Sequence, residues 1–166
     1  MDLTPSQKGA IAESAIITEA ARLHLPVYRP AMEGTRADMV FEVGERLLRV
    51  QCKWGRVKDL CVIVRLSTSR HSPRRGYVRT TYTAAEIDGF AVWCEPLARA
   101  FWLPIEEFAG QTYAHLRLEP AKNNQRTFVR MADAYPLGAV AQLEERSAGS
   151  RKVRGSSPLS STSKAA

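Results

Sequence analysis

The sequence has no apolar run of the roughly 18 residues that a membrane-spanning helix needs, and no charged-then-apolar leader. It is also poor in cysteine: Cys52, Cys61 and Cys94 have neither the even count nor the CxxC spacing of a disulfide or zinc framework. Its three histidines are scattered at no metal-ligand spacing. These absences predict a soluble protein of the reducing cytoplasm, with its thiols as small core residues.

Acidic residues are missing from Leu60 to Ala85, and arginines accumulate there instead. These arginines are Arg65, Arg70, Arg74, Arg75 and Arg79. The whole chain carries a formal charge of +7. Arginine neutralises phosphates and can form two hydrogen bonds with guanine, so we expect this segment to contact double-stranded DNA. A solvated, exposed loop is the alternative interpretation of the same charges.

The first helix is signalled by Thr4 and Gln7, which form a capping box around a proline at the first helical position. Apolar residues at helical spacing predict that it runs to about His24. Extended or strand-like segments follow at 27–29, 38–43, 46–54, 60–64, 90–94, 100–103 and 113–118. We expect residues 67–83 to form a long loop or irregular hairpin, and Ile105 to Phe108 to begin a short helix. This order predicts an α/β or α+β sheet domain over residues 1–135.

The composition changes near Leu137, where aromatic residues end and serine, glycine and basic residues dominate. We therefore expect residues 136–166 to form a disordered tail. Residues 155–158 can be encoded by the T-arm consensus of a transfer RNA gene, and residues 138–140 and 159–161 by complementary bases. The hypothesis is that the reading frame runs through an adjacent transfer RNA gene; chance in a serine-rich tail is the alternative. The nucleotide sequence decides, because it must fold as a cloverleaf.

A hairpin is predicted around Gly44-Glu45, since glycine in the first position of a two-residue loop is typical of a type II′ turn. If the strands pair directly across this loop, Asp38 lies opposite Gln51, at a separation of about 5 Å. Lys53 then points to the same face as Gln51, because side chains alternate along a strand. The opposite face is apolar and is predicted to be buried; it carries Met39, Phe41, Val43, Leu48, Val50 and Cys52.

Glu13 projects from the apolar side of the predicted helix, where a lone carboxylate is costly to bury. A divalent cation shared with Asp38 and Gln51 would supply a partner, and Mg²⁺ is usually held by a few protein oxygens and several waters. Lys53 would help to deprotonate a water and stabilise charge on a phosphate. Many exposed hairpins without catalytic function share this Asp–Gln–Lys spacing.

Several strings between Lys8 and about Tyr135 resemble the PD-(D/E)xK nuclease superfamily, in particular its homing-endonuclease branch associated with group I introns. They are KGAIAE, RADMVFE, VQCKW, AEIDGFAVWCE and KNNQ. The resemblance implies a mixed central sheet flanked by helices. It also implies that Glu13, Asp38 and Gln51 surround the metal and that Lys53 is the catalytic lysine.

The chain departs from the superfamily pattern at two positions. Ala37 stands where the pattern has proline, and Gln51 stands where most members have an acid. The homing branch resembles this chain in the second respect. Because Gln51 removes one negative charge, we expect the site to bind metal more weakly than a site with three carboxylates.

These observations predict a Mg²⁺-dependent DNA endonuclease of the homing type, belonging to a mobile element. A small domain that must cut both strands is expected to act as a homodimer or homotetramer. A Holliday-junction resolvase or a restriction-type nuclease on the same fold is the enzymatic alternative. A catalytically inactive DNA-binding module is the non-enzymatic one.

Two further polar groups remain. Glu42 shares the Asp38 face of the hairpin, and we expect it to be a solvated partner of Arg49 rather than part of the site. Residues 122–126 carry donors suited to DNA, although a turn packed on the sheet would explain them equally well.

Overall fold

The computed structural model describes residues 2–32, 34–72, 74, 76–120 and 129–142, without the side chains of residues 70–72. Helix α1 spans Pro5–Arg22 and begins with the predicted capping box. The Gln7 amide donates to the Thr4 hydroxyl oxygen at 3.3 Å, and the Thr4 amide donates to the Gln7 side chain at 2.9 Å. No helix in the described residues is long and apolar enough to cross a membrane.

Nine strands and a second helix, which is short, follow α1 in the described residues. They are β1 Val27–Tyr28, β2 Met39–Val43, β3 Arg46–Lys58, β4 Cys61–Arg65, β5 Thr68–Ser72, β6 Gly76–Thr80, β7 Gly89–Cys94, β8 Arg99–Pro104, α2 Ile105–Phe108 and β9 Tyr113–Arg117. Seven strands form one mixed sheet in the order β1-β2-β3-β4-β9, with β7 on β3 and β8 on β7. The strands β5 and β6 pair only with each other and form the basic hairpin. The predicted fold class is confirmed.

The predicted hairpin register is confirmed for β2 and β3, which pair from Val43 with Arg46 to Met39 with Val50. Gly44 has a φ of 59°, and Glu45 is not among the residues with positive φ, as a type II′ turn requires. The whole apolar face of the hairpin is buried. Residues 67–83 contain a regular hairpin, and Leu60 lies in the turn before β4 instead of in the strand.

Strand β3 is the hub of the sheet. Val50 pairs with β2 and with β7, and Gly55 pairs with β4 and with β7. A strand has two edges, so β2 and β4 must share the edge opposite β7. Within the described part of the chain, neither β2 nor β4 pairs with residues 51–54 on that edge, which we call the strand gap.

The sheet has a hydrophobic core on each face. Alternate residues of β7 show the division: Phe90 and Val92 belong to one core, and Ala91 belongs to the other. Helix α1 packs on the Ala91 side through Ala12 and Ile16. The helix thereby lies against β3 and brings its side chains to the strand gap.

The described fold continues past residue 135, where the domain was predicted to end. The Trp102 amide donates to the Tyr135 carbonyl at 2.9 Å, and the chain then forms a short 3-10 turn, Leu137–Ala139. Leu137 and Val140 are buried in the core that α1 covers. Residues 136–142 are therefore folded, because their apolar side chains complete that core. The rest of the predicted tail and the polar cluster at 122–126 lie outside the described residues.

Candidate active site

Asp38 immediately precedes β2 and projects into the strand gap. Its Oδ2 atom accepts the Cys52 amide at 2.8 Å and also a hydrogen bond from the Gln51 side-chain nitrogen. The carboxylate thus satisfies a backbone donor of β3 that a neighbouring strand would otherwise satisfy. Burial raises the pKa of Asp38, while the Cys52 amide and the Lys53 ammonium act in the opposite direction.

Gln51 faces Asp38, as the register predicts. The residue is only 8% exposed, and its side-chain nitrogen also donates to the Cys52 carbonyl at 3.3 Å. Among the described residues, every buried side-chain nitrogen or oxygen has a hydrogen-bond partner. The amide of Gln51 therefore offers its N–H group to the Asp38 carboxylate.

Lys53 lies at the same gap, two residues after Gln51 on β3 and on the same face of the strand. Its Nζ atom donates to the Tyr82 hydroxyl at 3.3 Å and stands 4.9 Å from the centroid of the Tyr82 ring. Burial lowers the pKa of Lys53 to about 8, although Asp38 opposes this shift. A lysine with this pKa has substantial populations of both ammonium and free amine near neutral to mildly basic pH.

Tyr82 is a site residue that sequence reasoning missed. It is 4% exposed, and the Arg36 guanidinium carbon lies 4.0 Å from its ring centroid. Arg36 also pairs with Glu86 at 2.9 Å and donates to the Thr81 carbonyl at 2.7 Å, so it connects the start of β2 to the segment that carries Tyr82. The signals were slight: an aromatic residue within a polar stretch, and an arginine two residues before Asp38.

Glu13 reaches the site from α1. Burial raises its pKa, and the nearby negative charge of Asp38 raises it further. Its Oε2 atom lies 2.5 Å from Nη2 of Arg29, a residue that sequence reasoning also missed. Glu13 borders two cavities, one of about 350 Å³ shared with Asp38 and Arg29, and one of about 440 Å³ shared with Lys53. The structure therefore brings Glu13 beside Asp38 and Lys53.

The predicted DNA-binding arginines whose side chains the structure describes lie on the basic hairpin and at its base. Arg65 lines the 440 Å³ cavity with Lys53, and its side chain donates to Ser67 at 3.3 Å and to Ser69. Arg74 and Arg79 are exposed. The side chain of Arg70 and the whole of Arg75 lie outside the described part. Of the described arginine side chains, Arg65 is the one that reaches the cavity at Lys53.

The predicted pairing of Glu42 with Arg49 is wrong. Glu42 accepts a hydrogen bond from the Tyr28 hydroxyl. Arg49 pairs instead with Asp88, which accepts the Arg49 amide at 2.7 Å and its Nε at 3.0 Å. Asp88 accepts hydrogen bonds from both the backbone amide and the guanidinium of Arg49. Glu42, on the neighbouring strand, accepts from neither.

The donor set suits a hard divalent cation held partly by water. Within the described ranges, no group of three or more His, Cys, Asp or Glu side chains could hold a metal ion by itself. The oxygens available are the carboxylates of Asp38 and Glu13 and the amide oxygen of Gln51. Two carboxylates and an amide match the few protein ligands with which Mg²⁺ is usually held. The Arg29 guanidinium beside Glu13 shows that a positive charge is already accommodated there.

Comparisons with known proteins identify the fold and the family of the chain. The structure of a bacterial homing endonuclease, I-Ssp6803I, superposes with a TM-score of 0.70 and 24% sequence identity, over 90% of this chain and 99% of that chain. This likeness confirms the fold. A search of curated proteins gave no match. A family model described as PD-(D/E)XK endonuclease matches residues 3–138. The expected resemblance is confirmed, and the chain belongs to the PD-(D/E)XK endonuclease family.

Proposed function

We propose that this protein is a Mg²⁺-dependent DNA endonuclease of the homing type. Family membership supports endonuclease activity. The observation that supports metal-dependent cleavage is the strand gap. There the Asp38 carboxylate accepts hydrogen bonds from the Gln51 side chain and the Cys52 amide, and Lys53 lies alongside. The likeness of the fold to a bacterial homing endonuclease supports the homing type.

Each side chain has a distinct task in the proposed reaction. Asp38 and Glu13 would bind the cation, and Gln51 would turn its amide oxygen to it in place of the N–H group that now faces Asp38. Bound Mg²⁺ would supply a Lewis acid that polarises the phosphate and acidifies a water. The free amine of Lys53 would accept a proton from the attacking water, and the ammonium formed in this way would stabilise the charge that develops on the phosphate.

The basic hairpin is the proposed DNA-contacting element. Arg65 stands where it can meet the phosphate next to Lys53, and the exposed Arg74 and Arg79 extend the positive surface outward. Arginine at these positions would neutralise the DNA backbone, so affinity should fall steeply as salt is raised. The protein is proposed to act in the cytoplasm on double-stranded DNA.

The proposed assembly is a homodimer or homotetramer. Each chain carries one strand gap in its described residues, and hydrolysis of both DNA strands requires two active sites. A symmetric dimer would also double the footprint of a small domain on its target.

Cleavage of plasmid DNA with and without Mg²⁺ tests the proposal. Wild type should cut only with Mg²⁺, whereas Lys53→Ala and Asp38→Asn should lose about hundredfold or more of the rate. Lys58→Ala and Asp133→Asn are matched controls, because Lys58 is exposed on the same strand and Asp133 is exposed and paired with Arg99. Equal cutting by all variants would contradict the assignment. Preference for four-way junctions over linear duplex would indicate a resolvase.

A DNA-binding module without cleavage is the second candidate. Gln51 supports it, because the amide that faces Asp38 carries no negative charge to attract a cation. Tight DNA binding without cutting of any substrate, with Mg²⁺ or Mn²⁺, would favour this candidate. Activity gained by Gln51→Glu would show that the missing charge was the cause.

A further inference from the structure

Arg29 places a positive charge over the acidic side of the active site. It follows β1, and its guanidinium lies 2.5 Å from Glu13. Burial raises the pKa of both Glu13 and Asp38, and the charge of Arg29 opposes this rise, so it acts on the two carboxylates proposed to bind the cation. All three side chains line the 350 Å³ cavity. The Arg29 side chain is 60% exposed and that of Glu13 is 28% exposed, so the guanidinium lies on the solvent side of Glu13.

A second ion pair on α1 shows that this arrangement is not a general property of the helix. Arg22 lies 2.5 Å from Glu19, and their side chains are 70% and 27% exposed. The two pairs are therefore alike in distance, residue types and exposure. They differ in their surroundings, because Glu19 is three residues from its partner on the same helix and does not line the cavity with Asp38.

We propose that Arg29 neutralises Glu13 and Asp38 in the metal-free enzyme, and that its guanidinium moves to a DNA phosphate when the cation binds. This inference rests on the proposed function. A guanidinium and a divalent cation compete for the same carboxylates because both are attracted by their negative charge. The phosphate offers the displaced guanidinium a planar, two-hydrogen-bond partner in place of the carboxylate.

The exchange makes cation binding and DNA binding cooperative. DNA that attracts Arg29 removes the competitor, so it tightens cation binding. By thermodynamic linkage, the cation must tighten DNA binding by the same factor. Arg29 would thereby limit loading of the cation until DNA is present.

Mn²⁺ binding to the full-length, DNA-free protein tests the first half, with free Mn²⁺ measured by electron paramagnetic resonance. Arg29→Gln should tighten Mn²⁺ binding about tenfold, because it removes one positive charge within contact distance of the ligands. Arg22→Gln is the matched control and should leave the affinity unchanged. Arg29→Lys keeps the charge and should stay near wild type. Thermal denaturation should change equally little in the Arg29→Gln and Arg22→Gln variants.

DNA affinity tests the second half, measured by fluorescence anisotropy of a short duplex with and without Ca²⁺. Ca²⁺ should tighten wild-type binding, and Arg29→Gln should reduce this enhancement while Arg22→Gln preserves it.

Unchanged or weaker Mn²⁺ binding in Arg29→Gln would overturn the inference, provided that Asp38→Asn abolishes binding and so locates the ion. That result leaves the proposed metal site intact. If Asp38→Asn binds Mn²⁺ as wild type does, the metal part of the proposed function fails and the inference fails with it.

Discussion

The two carboxylates of the proposed site are held in different ways. Asp38 is partly buried in the strand gap and accepts a backbone amide of β3, so the sheet itself sets its position. Glu13 extends from a helix, is partly exposed and is held by an exposed arginine. A side chain integrated into backbone pairing cannot move without loss of structure, whereas an ion pair can exchange partners. The difference suggests a rigid half of the site, built on β3, and an adjustable half, built on α1.

The largest effects are expected at Asp38, where two variants distinguish its role in stability from its role in cleavage. Asp38→Ala leaves the Cys52 amide without its acceptor and should cost about 1–3 kcal/mol of unfolding free energy. Asp38→Asn keeps an oxygen acceptor for that amide, so its stability should be close to that of wild type at pH 7. Both variants should lose cleavage. Urea denaturation measures the stabilities, and equal destabilisation by both would contradict this division.

Lys53 should destabilise the fold in a pH-dependent way. Its folded pKa of about 8 is below the ordinary value of 10.5, so the unfolded chain binds the proton more tightly between these values. Stability should therefore rise as pH increases from 8 to 10.5, and the destabilisation by Lys53 is fully present below pH 8. Lys53→Met should be more stable than wild type at pH 7, by about 1–3 kcal/mol.

Urea denaturation from pH 7 to 10.5 measures the difference in unfolding free energy between Lys53→Met and wild type. This difference should become smaller as the pH rises. A constant difference across the range would show that packing and not charge is responsible. Lys58→Met is the control, since Lys58 is exposed on the same strand.

Tyr82 extends the rigid half beyond β3. Tyr82→Phe removes the hydroxyl that accepts from Lys53 but keeps the buried ring, so cleavage should fall about tenfold while DNA affinity is unchanged. Tyr135→Phe removes a hydroxyl that donates to Glu107 at 2.6 Å, away from the cavities at Glu13, and should have no such effect. A loss of DNA affinity instead of rate would show that Tyr82 does not position the lysine.

The smallest change in stability is expected at Glu13. Glu13→Gln breaks an exposed ion pair and should alter the unfolding free energy by less than about 1 kcal/mol. It should nevertheless weaken Mn²⁺ binding, because one of two carboxylates is lost. Stability and metal affinity measured on the same sample test this, and a large loss of stability would place Glu13 in the rigid half.

Much of the candidate site could be predicted because its central part is local. The hairpin follows from alternating side chains and a glycine in the turn, and both act over a few residues. The contacts that sequence reasoning missed join distant segments: Arg49 with Asp88, Lys53 with Tyr82, and Trp102 with the Tyr135 carbonyl. Nothing in the local pattern of either segment specifies such a partner.

By itself, the sequence determined the capped helix, the order of the strands and the meeting of Asp38 with Gln51, since turn geometry and side-chain alternation are short-range. Only the tertiary structure decided that β2 and β4 share one edge of β3 and leave a gap for Asp38. It also decided that Arg29 pairs with Glu13 and that residues 136–142 belong to the core. These depend on which apolar surfaces bury one another, a property of the whole chain.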